Sequence, residues 1–137
     1  MLKIKDEIID LIRDAGFGFL ATTDDNQPRV RPMMPYLTED GQLLIALLPR
    51  SRTIQQIKKN PLIEMCFVDR KMWYCRITGK ASLSNDKEKK EVIWNNIPML
   101  RQYFGGPQDT NFYLLIVEIQ NIETMTPHQK IPDLIKI

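Results

Sequence analysis

The chain has 137 residues, 43% of them apolar and 26% charged, with a formal net charge of +2. That length suits one domain, residues 1–137, and the small charge without any long run of Lys or Arg argues against nucleic acid as a partner. No apolar stretch approaches the roughly 20 residues of a membrane-spanning helix, and the start of the chain turns acidic at Asp6-Glu7 where a secretory signal would turn apolar.

The expected setting is therefore cytoplasmic, with no membrane contact. Two cysteines, Cys66 and Cys75, make neither a disulfide framework nor a metal motif, and the single histidine, His128, is remote from both in sequence. No metal site and no catalytic acid, base or nucleophile is predicted.

Ile4, Ile8, Leu11, Ile12 and Ala15 recur at helical spacing between charged residues, which predicts a first helix capped by Gly16. Residues 17–23 read as a strand and residues 24–28 as a turn. A second strand follows from Arg29 to about Tyr36. Pro32 and Pro35 cannot donate ladder hydrogen bonds, so this strand belongs at an edge or carries a bulge. Residues 42–48 form a third strand, apolar on both faces.

Ser51 then caps a short helix with Ile54 and Ile57 inward, ended by Asn60-Pro61. Residues 62–69 and 72–83 read as a hairpin closed by Arg70-Lys71, a register that sets Cys66 opposite Cys75. Asn85 and Glu88 have the spacing of a capping box for a third helix running to about Phe104. Residues 112–122 form the last long strand, and the tail from Pro127 is a short docking segment or loose. The predicted fold is mainly β: an antiparallel sheet of about six strands with two to three peripheral helices, closed as a barrel or packed as a sandwich.

Three stretches could carry chemistry. Pro49-Arg50-Ser51-Arg52-Thr53 follows an apolar strand and opens a helix, where unpaired backbone N–H groups, a hydroxyl and two guanidinium groups would suit a phosphate. Taken alone it reads first as a capped surface helix with solvated arginines. Arg29-Val30-Arg31-Pro32-Met33 sets Arg29, Arg31 and Met33 on one strand face, beside which a flat aromatic ligand could lie; an edge strand protected by its arginines accounts for it equally. Tyr74 lies in a strand of alternating aromatic and polar residues that reads first as a half-buried barrel strand.

Together these stretches resemble the pyridoxamine 5'-phosphate oxidase-like family of FMN-binding split barrels, in its short, general-stress-protein branch. The ordered features are Gln27-Pro28-Arg29-Val30-Arg31-Pro32, Ser51-Arg52 followed by Asn60-Pro61, Arg76-Ile77-Thr78-Gly79, and Trp94 ahead of Tyr103-Phe104-Gly105-Gly106. The resemblance implies a split β-barrel and a homodimer with FMN between subunits. It implies a flavin-dependent oxidoreductase acting on an unknown small molecule, or a non-catalytic carrier of flavin, deazaflavin or haem; an empty structural dimer is the third possibility. It assigns the cofactor to Arg29, Arg31, Pro32, Met33, Arg50, Ser51, Arg52, Thr53 and Tyr74. Residues 42–48 and 112–122, more apolar than a small lone barrel needs, are the implied dimer face. Thr53 and Tyr36 replace lysines of relatives, and the long C-terminal segment of the vitamin-B6 enzymes is missing, so oxidation of pyridoxamine phosphate is not expected.

Overall fold

Ile8, Leu11 and Ile12 share one side of a helix, and burying that side makes Asp6–Ala15 the first helix, α1, of the computed structural model, which describes residues 4–137. Gly16 ends it as expected: its φ is +76°, a conformation that favours glycine, and its N–H donates to the Ile12 carbonyl at 3.3 Å. The chain continues through β1 (Gly18–Asp24), β2 (Gln27–Met33), β3 (Tyr36–Leu37), β4 (Gln42–Leu47), α2 (Arg52–Lys59), β5 (Leu62–Val68), β6 (Tyr74–Ser84), α3 (Lys87–Asn96), a 3-10 segment (Pro98–Gln102), β7 (Tyr113–Met125) and β8 (Asp133–Lys136).

Every strand pairing is antiparallel, in the order β2-β1-β5-β6-β7-β4-β3, with β8 added to β7. The sheet is an open path: β2 and β3 end it without pairing to each other, so the expected closure does not occur. It has eight strands rather than about six. Pro35 lies in the break that separates β3 from β2, and the tail adds β8. β2 ends the sheet, the place where a strand tolerates proline.

Two further boundaries move for local reasons. The cap of α3 is Asp86, whose carboxylate accepts from Lys89 N at 3.2 Å; there is no capping box on Asn85. The helix also stops at Asn96 instead of reaching Phe104, because Pro98 removes a helical donor and biases the residue before it to extended geometry.

The β5–β6 hairpin closes around residues 69–73, with Val68 opposite Tyr74. The Asp69 carboxylate accepts from the backbone N–H groups of Lys71 (2.8 Å) and Trp73 (3.1 Å), and Met72 takes φ +66°. This longer loop shifts the register by one, so Cys66 opposes Arg76 on the outer face and Cys75 opposes Phe67 in the core. The expected Cys66–Cys75 juxtaposition is therefore wrong, because a one-residue slip moves a side chain to the other face.

Burial pushes the Cys75 thiol from its ordinary 9.0 up to about 12, with a smaller contribution from Cys66. A thiol reagent at pH 8 is expected to leave Cys75 unmodified until the chain unfolds, checked by mass spectrometry with and without urea. As pH rises past about 9 the unfolded thiol loses a proton that the folded one keeps, so this group's contribution to stability should decline there. Rapid labelling of native Cys75 would contradict the placement.

Two apolar clusters hold the sheet. Leu20, Leu43, Ile45, Met65, Phe67 and Leu115 pack with α1 and α2 on one side; Leu44, Ile93, Leu100, Phe104, Phe112 and Leu114 form a second cluster beneath α3 and the 3-10 segment. β4 and β7 lie between the two clusters. Their apolar character on both faces, expected to mark a dimer interface, is thus used within the single chain.

Candidate functional site

The stretch after β4 turns as its sequence demands. Ser51 N–H donates to the Leu48 carbonyl at 3.1 Å, and Ser51 takes extended φ and ψ. Its hydroxyl oxygen accepts from Thr53 N at 3.2 Å, the expected N-cap of α2. Arg50 and Arg52 stay exposed on either side of it, while Thr53 is buried on the inner face of the helix.

Beside this turn lies a groove of about 970 Å³, near the upper end of the ~300–1,000 Å³ usual for small-molecule sites. Arg50 and Ser51 line its polar end. Met33 and Met34, at and just beyond the end of β2, and Met99, Tyr103 and Phe104, at and beyond the 3-10 segment, line its apolar walls. Phe17, Phe19 and Pro32 continue the apolar surface, with the two phenylalanine rings edge-to-face at 5.5 Å.

Arg31 sits behind this wall and points toward α2. Its guanidinium donates to Thr22 Oγ1 at 2.7 Å, to Gln56 Oε1 at 2.6 Å and to the Leu20 carbonyl at 3.3 Å. Partial burial, then the like charge of Arg29, hold its pKa below the ordinary value, yet an arginine remains a cation. Arg29 itself pairs with Asp24 at 3.6 Å in the open, a contact worth little.

The structure thus gathers four of the nine predicted residues, Pro32, Met33, Arg50 and Ser51, around one groove. Arg31 and Thr53 are packed at the inner face of α2. Arg29 and Arg52 are exposed and do not line the groove. Tyr74 lies on β6, its hydroxyl 3.1 Å from Met125 Sδ and its ring 5.7 Å from the Arg76 guanidinium, away from the groove of its own chain.

The lining residues that sequence reasoning missed are chiefly Phe17, Phe19, Met34, Met99, Tyr103 and Phe104. The 3-10 wall was hidden because the third helix was expected to run through it; Pro98 was the signal.

A second hollow, of about 700 Å³, lies between the end of β6 and the loop before β7, and Lys87, Lys90 and Asp109 line it. It contains none of the predicted residues. Both carboxylate oxygens of Asp109 are engaged as a loop brace, accepting from Gly105 N and Asn111 N at 2.9 Å each, which holds its pKa below the usual carboxylate range. Among the described residues no group of metal-ligating side chains occurs, and no helix is long and apolar enough to cross a membrane.

The sequence matches the family described as Pyridoxamine 5'-phosphate oxidase like over residues 3–134. The chain belongs to this family.

The pyridoxamine 5'-phosphate oxidase-like assignment agrees with individual relatives. General stress protein 26 of Bacillus subtilis (strain 168) is 28% identical over 139 residues, covering 94% of this chain and 93% of the relative. The crystal structure of general stress protein 26 from Bacillus anthracis str. Sterne superposes with a TM-score of 0.81 at 25% identity, covering 96% and 97% of the two chains. These neighbours have the split-barrel fold, which this chain shares.

Two more distant structures share the fold alone. One is a pyridoxamine 5'-phosphate oxidase-related, FMN binding protein from Nostoc punctiforme PCC 73102 (TM-score 0.74, 18% identity, covering 97% and 91%). The other is a haem binding protein from Mycobacterium smegmatis (TM-score 0.79, 12% identity, covering 99% of this chain and 60% of that one).

Proposed function

We propose that this chain is an FMN-binding, oxidoreductase-like protein of the cytoplasm that works as a homodimer on a small molecule. One observation carries the reading: a single groove is polar at the start of α2, where Arg50 and Ser51 stand, and apolar along Met33, Met34, Tyr103 and Phe104. A phosphate needs strong donors and positive charge, and an isoalloxazine needs a flat apolar wall. The residues present fit both halves of that molecule. Haem would need an axial ligand, and Met33, Met34, Met99 and Tyr103 line the groove while His128 and the cysteines do not; the preference for FMN rests on the Arg50–Ser51 end.

In this reading the Ser51 hydroxyl, the backbone N–H at the start of α2 and the Arg50 guanidinium hold the phosphate, and Arg52, exposed outside the groove lining, reaches over it from the rim. Arg31 adds positive charge from behind. The Met33–Met34 segment and Tyr103 bound the ring and keep water from it. Hydride and electron transfer are what a bound flavin supplies; the protein contributes position and electrostatics. No side chain of the groove is assigned as general acid or base.

Fluorescence-quenching titrations with FMN and riboflavin test the placement. Arg52→Ala is expected to weaken FMN by about 1.5–3 kcal/mol, the range for hydrogen bonds to charged groups, and to leave riboflavin nearly unchanged. Equal losses for both flavins would remove Arg52 from the phosphate site. Thr53→Lys, which puts back the lysine that relatives carry there, should leave FMN affinity equal or tighter, its stem buried and its ammonium reaching the helix start.

The dimer has support outside β4 and β7. Phe17, just before β1, and Phe19 and Val30, on the outer face of β1 and β2, are exposed, Val30 to 67%. The same face continues through Cys66 to Arg76, and Arg76 Nε and Thr78 Oγ1 are buried there without a hydrogen-bond partner in one protomer. A second copy covering this face and closing the groove would bury over about 2,000 Å². Sedimentation at micromolar concentration is expected to show a dimer; a stable monomer would rule the arrangement out.

A further inference from the structure

Arg31 is well hydrogen-bonded and not neutralised. Each of its acceptors, Thr22 Oγ1, Gln56 Oε1 and the Leu20 carbonyl, is uncharged. The Thr22 hydroxyl also donates to Gln56 Oε1 at 2.6 Å, so one amide oxygen collects both groups. Thr22 and Gln56 are only 4% and 5% exposed. Among the described residues no carboxylate lies in ion-pair reach of Arg31, and its charged neighbour is Arg29, of like sign. Arg31 is only half-buried, yet even a cation withdrawn in part from water is usually set against an opposite charge. Here the place of the counter-ion is held by glutamine, the uncharged counterpart of glutamate.

The position of this cluster gives the neutrality a use. Gln56 lies one turn beyond Arg52 and Thr53 on α2, and the residues that follow Arg31 in β2, Pro32 and Met33, line the groove. The unpaired charge therefore stands between β1 and the inner face of α2, one turn from the helix start.

We propose that Gln56 is a positioning residue: it orients the Arg31 guanidinium between β2 and α2 and, being neutral, leaves that charge for an anionic group bound at the start of α2. The proposal rests on the groove as the flavin site and deepens it, since selectivity for the phosphorylated flavin over riboflavin then depends on the neutrality of position 56.

The test compares the full-length wild type with Gln56→Glu and Gln56→Met. Calorimetry supplies FMN and riboflavin affinities, and inorganic phosphate is followed by NMR at the Arg31 Nε–H. Gln56→Glu adds a charge that neutralises Arg31; it is expected to weaken FMN and phosphate by at least about tenfold and to change riboflavin less than about twofold. The salt dependence of its FMN binding should also fall, since one attractive charge is cancelled. Gln56→Met removes the orienting acceptor but keeps the charge, so its FMN loss should be the smaller of the two.

Losses of equal size for FMN and riboflavin in both variants would mean a merely structural role and overturn the proposal. So would a phosphate response unchanged in Gln56→Glu. If Gln56→Glu does not fold, Arg31→Gln must reproduce the loss of FMN and phosphate with riboflavin spared, or the proposal fails. A wild type that takes phosphate in this Gln56-dependent way but neither flavin would defeat the flavin reading and keep the role of Gln56. A wild type that responds to none of the three probes defeats both.

Discussion

Phe112→Ala is expected to cost about 3–5 kcal/mol, the range for emptying a buried phenylalanine site. Phe112 is 1% exposed and stacks on Phe104 with ring centroids 4.9 Å apart and planes 23° from parallel. Lys90 Nζ lies 5.5 Å from the ring centre on the α3 side. The substitution removes the partner that seats Phe104, and Phe104 with Leu100 forms part of the groove wall. The loss should therefore appear twice: as a lower urea midpoint and as weaker binding of both flavins, riboflavin included. That second signature separates wall collapse from loss of a phosphate ligand. Tyr113→Ala, at the exposed neighbouring position, is the control and should change stability by less than about 1 kcal/mol. A Phe112→Ala variant with wild-type stability would mean that the second cluster does not hold the wall.

Gly79→Ala is the other large effect, expected near 3 kcal/mol, the upper end of the usual overpacking range. A Cβ at position 79 would lie 2.6 Å from the Glu118 carbonyl oxygen and 2.7 Å from Val117 Cγ1. Neither can retreat easily. Val117 is fully buried, and the Glu118 carbonyl belongs to the backbone of β7. The site lies at the irregularity between Thr78 and Gly79, where β6 bends against β7 and Gln120 is left over in the register. The added methyl would have to open the longest strand pairing of the sheet. Gly106→Ala, whose nearest neighbour is a flexible side-chain atom 3.7 Å away, should be close to neutral. Equal urea midpoints for the two variants would show that β6 and β7 part more readily than this packing allows.

Much of the scaffold was legible because its signals are local. The 3.6-residue period of Ile8, Leu11 and Ile12 encodes a helix, and Gly16 and Ser51 mark a helix end and a helix start wherever the rest of the chain goes. The loss of a donor at Pro32 pushes β2 to an edge for the same kind of reason. The basic turn at residues 50–52 was legible for the same cause: a capped helix start next to guanidinium groups is set within a few residues.

What local sequence did not carry depended on length, parity or partners far along the chain. The hairpin at residues 69–73 differs from a two-residue loop through the side chain of Asp69, and that difference moved Cys66 and Cys75 to opposite faces. β4 and β7 read as apolar on both faces, with no cover assigned within the chain; the return of α3 and the 3-10 segment over Leu44, Leu114 and Ile116 supplied it. Tyr74 belongs to a strand whose neighbours in the sheet carry it away from the groove of its own chain.

By itself, then, the sequence determined the periodic elements, their caps and the basic turn at the start of α2, because each is set by residues within about one turn or one pleat. The tertiary structure alone decided that Arg31 turns inward to Thr22 and Gln56 instead of outward. It also brought Met33, Met99 and Tyr103 to one groove from segments more than 60 residues apart. Those outcomes follow from strand register and from burial of two separate apolar clusters, both settled between parts of the chain that local sequence does not connect.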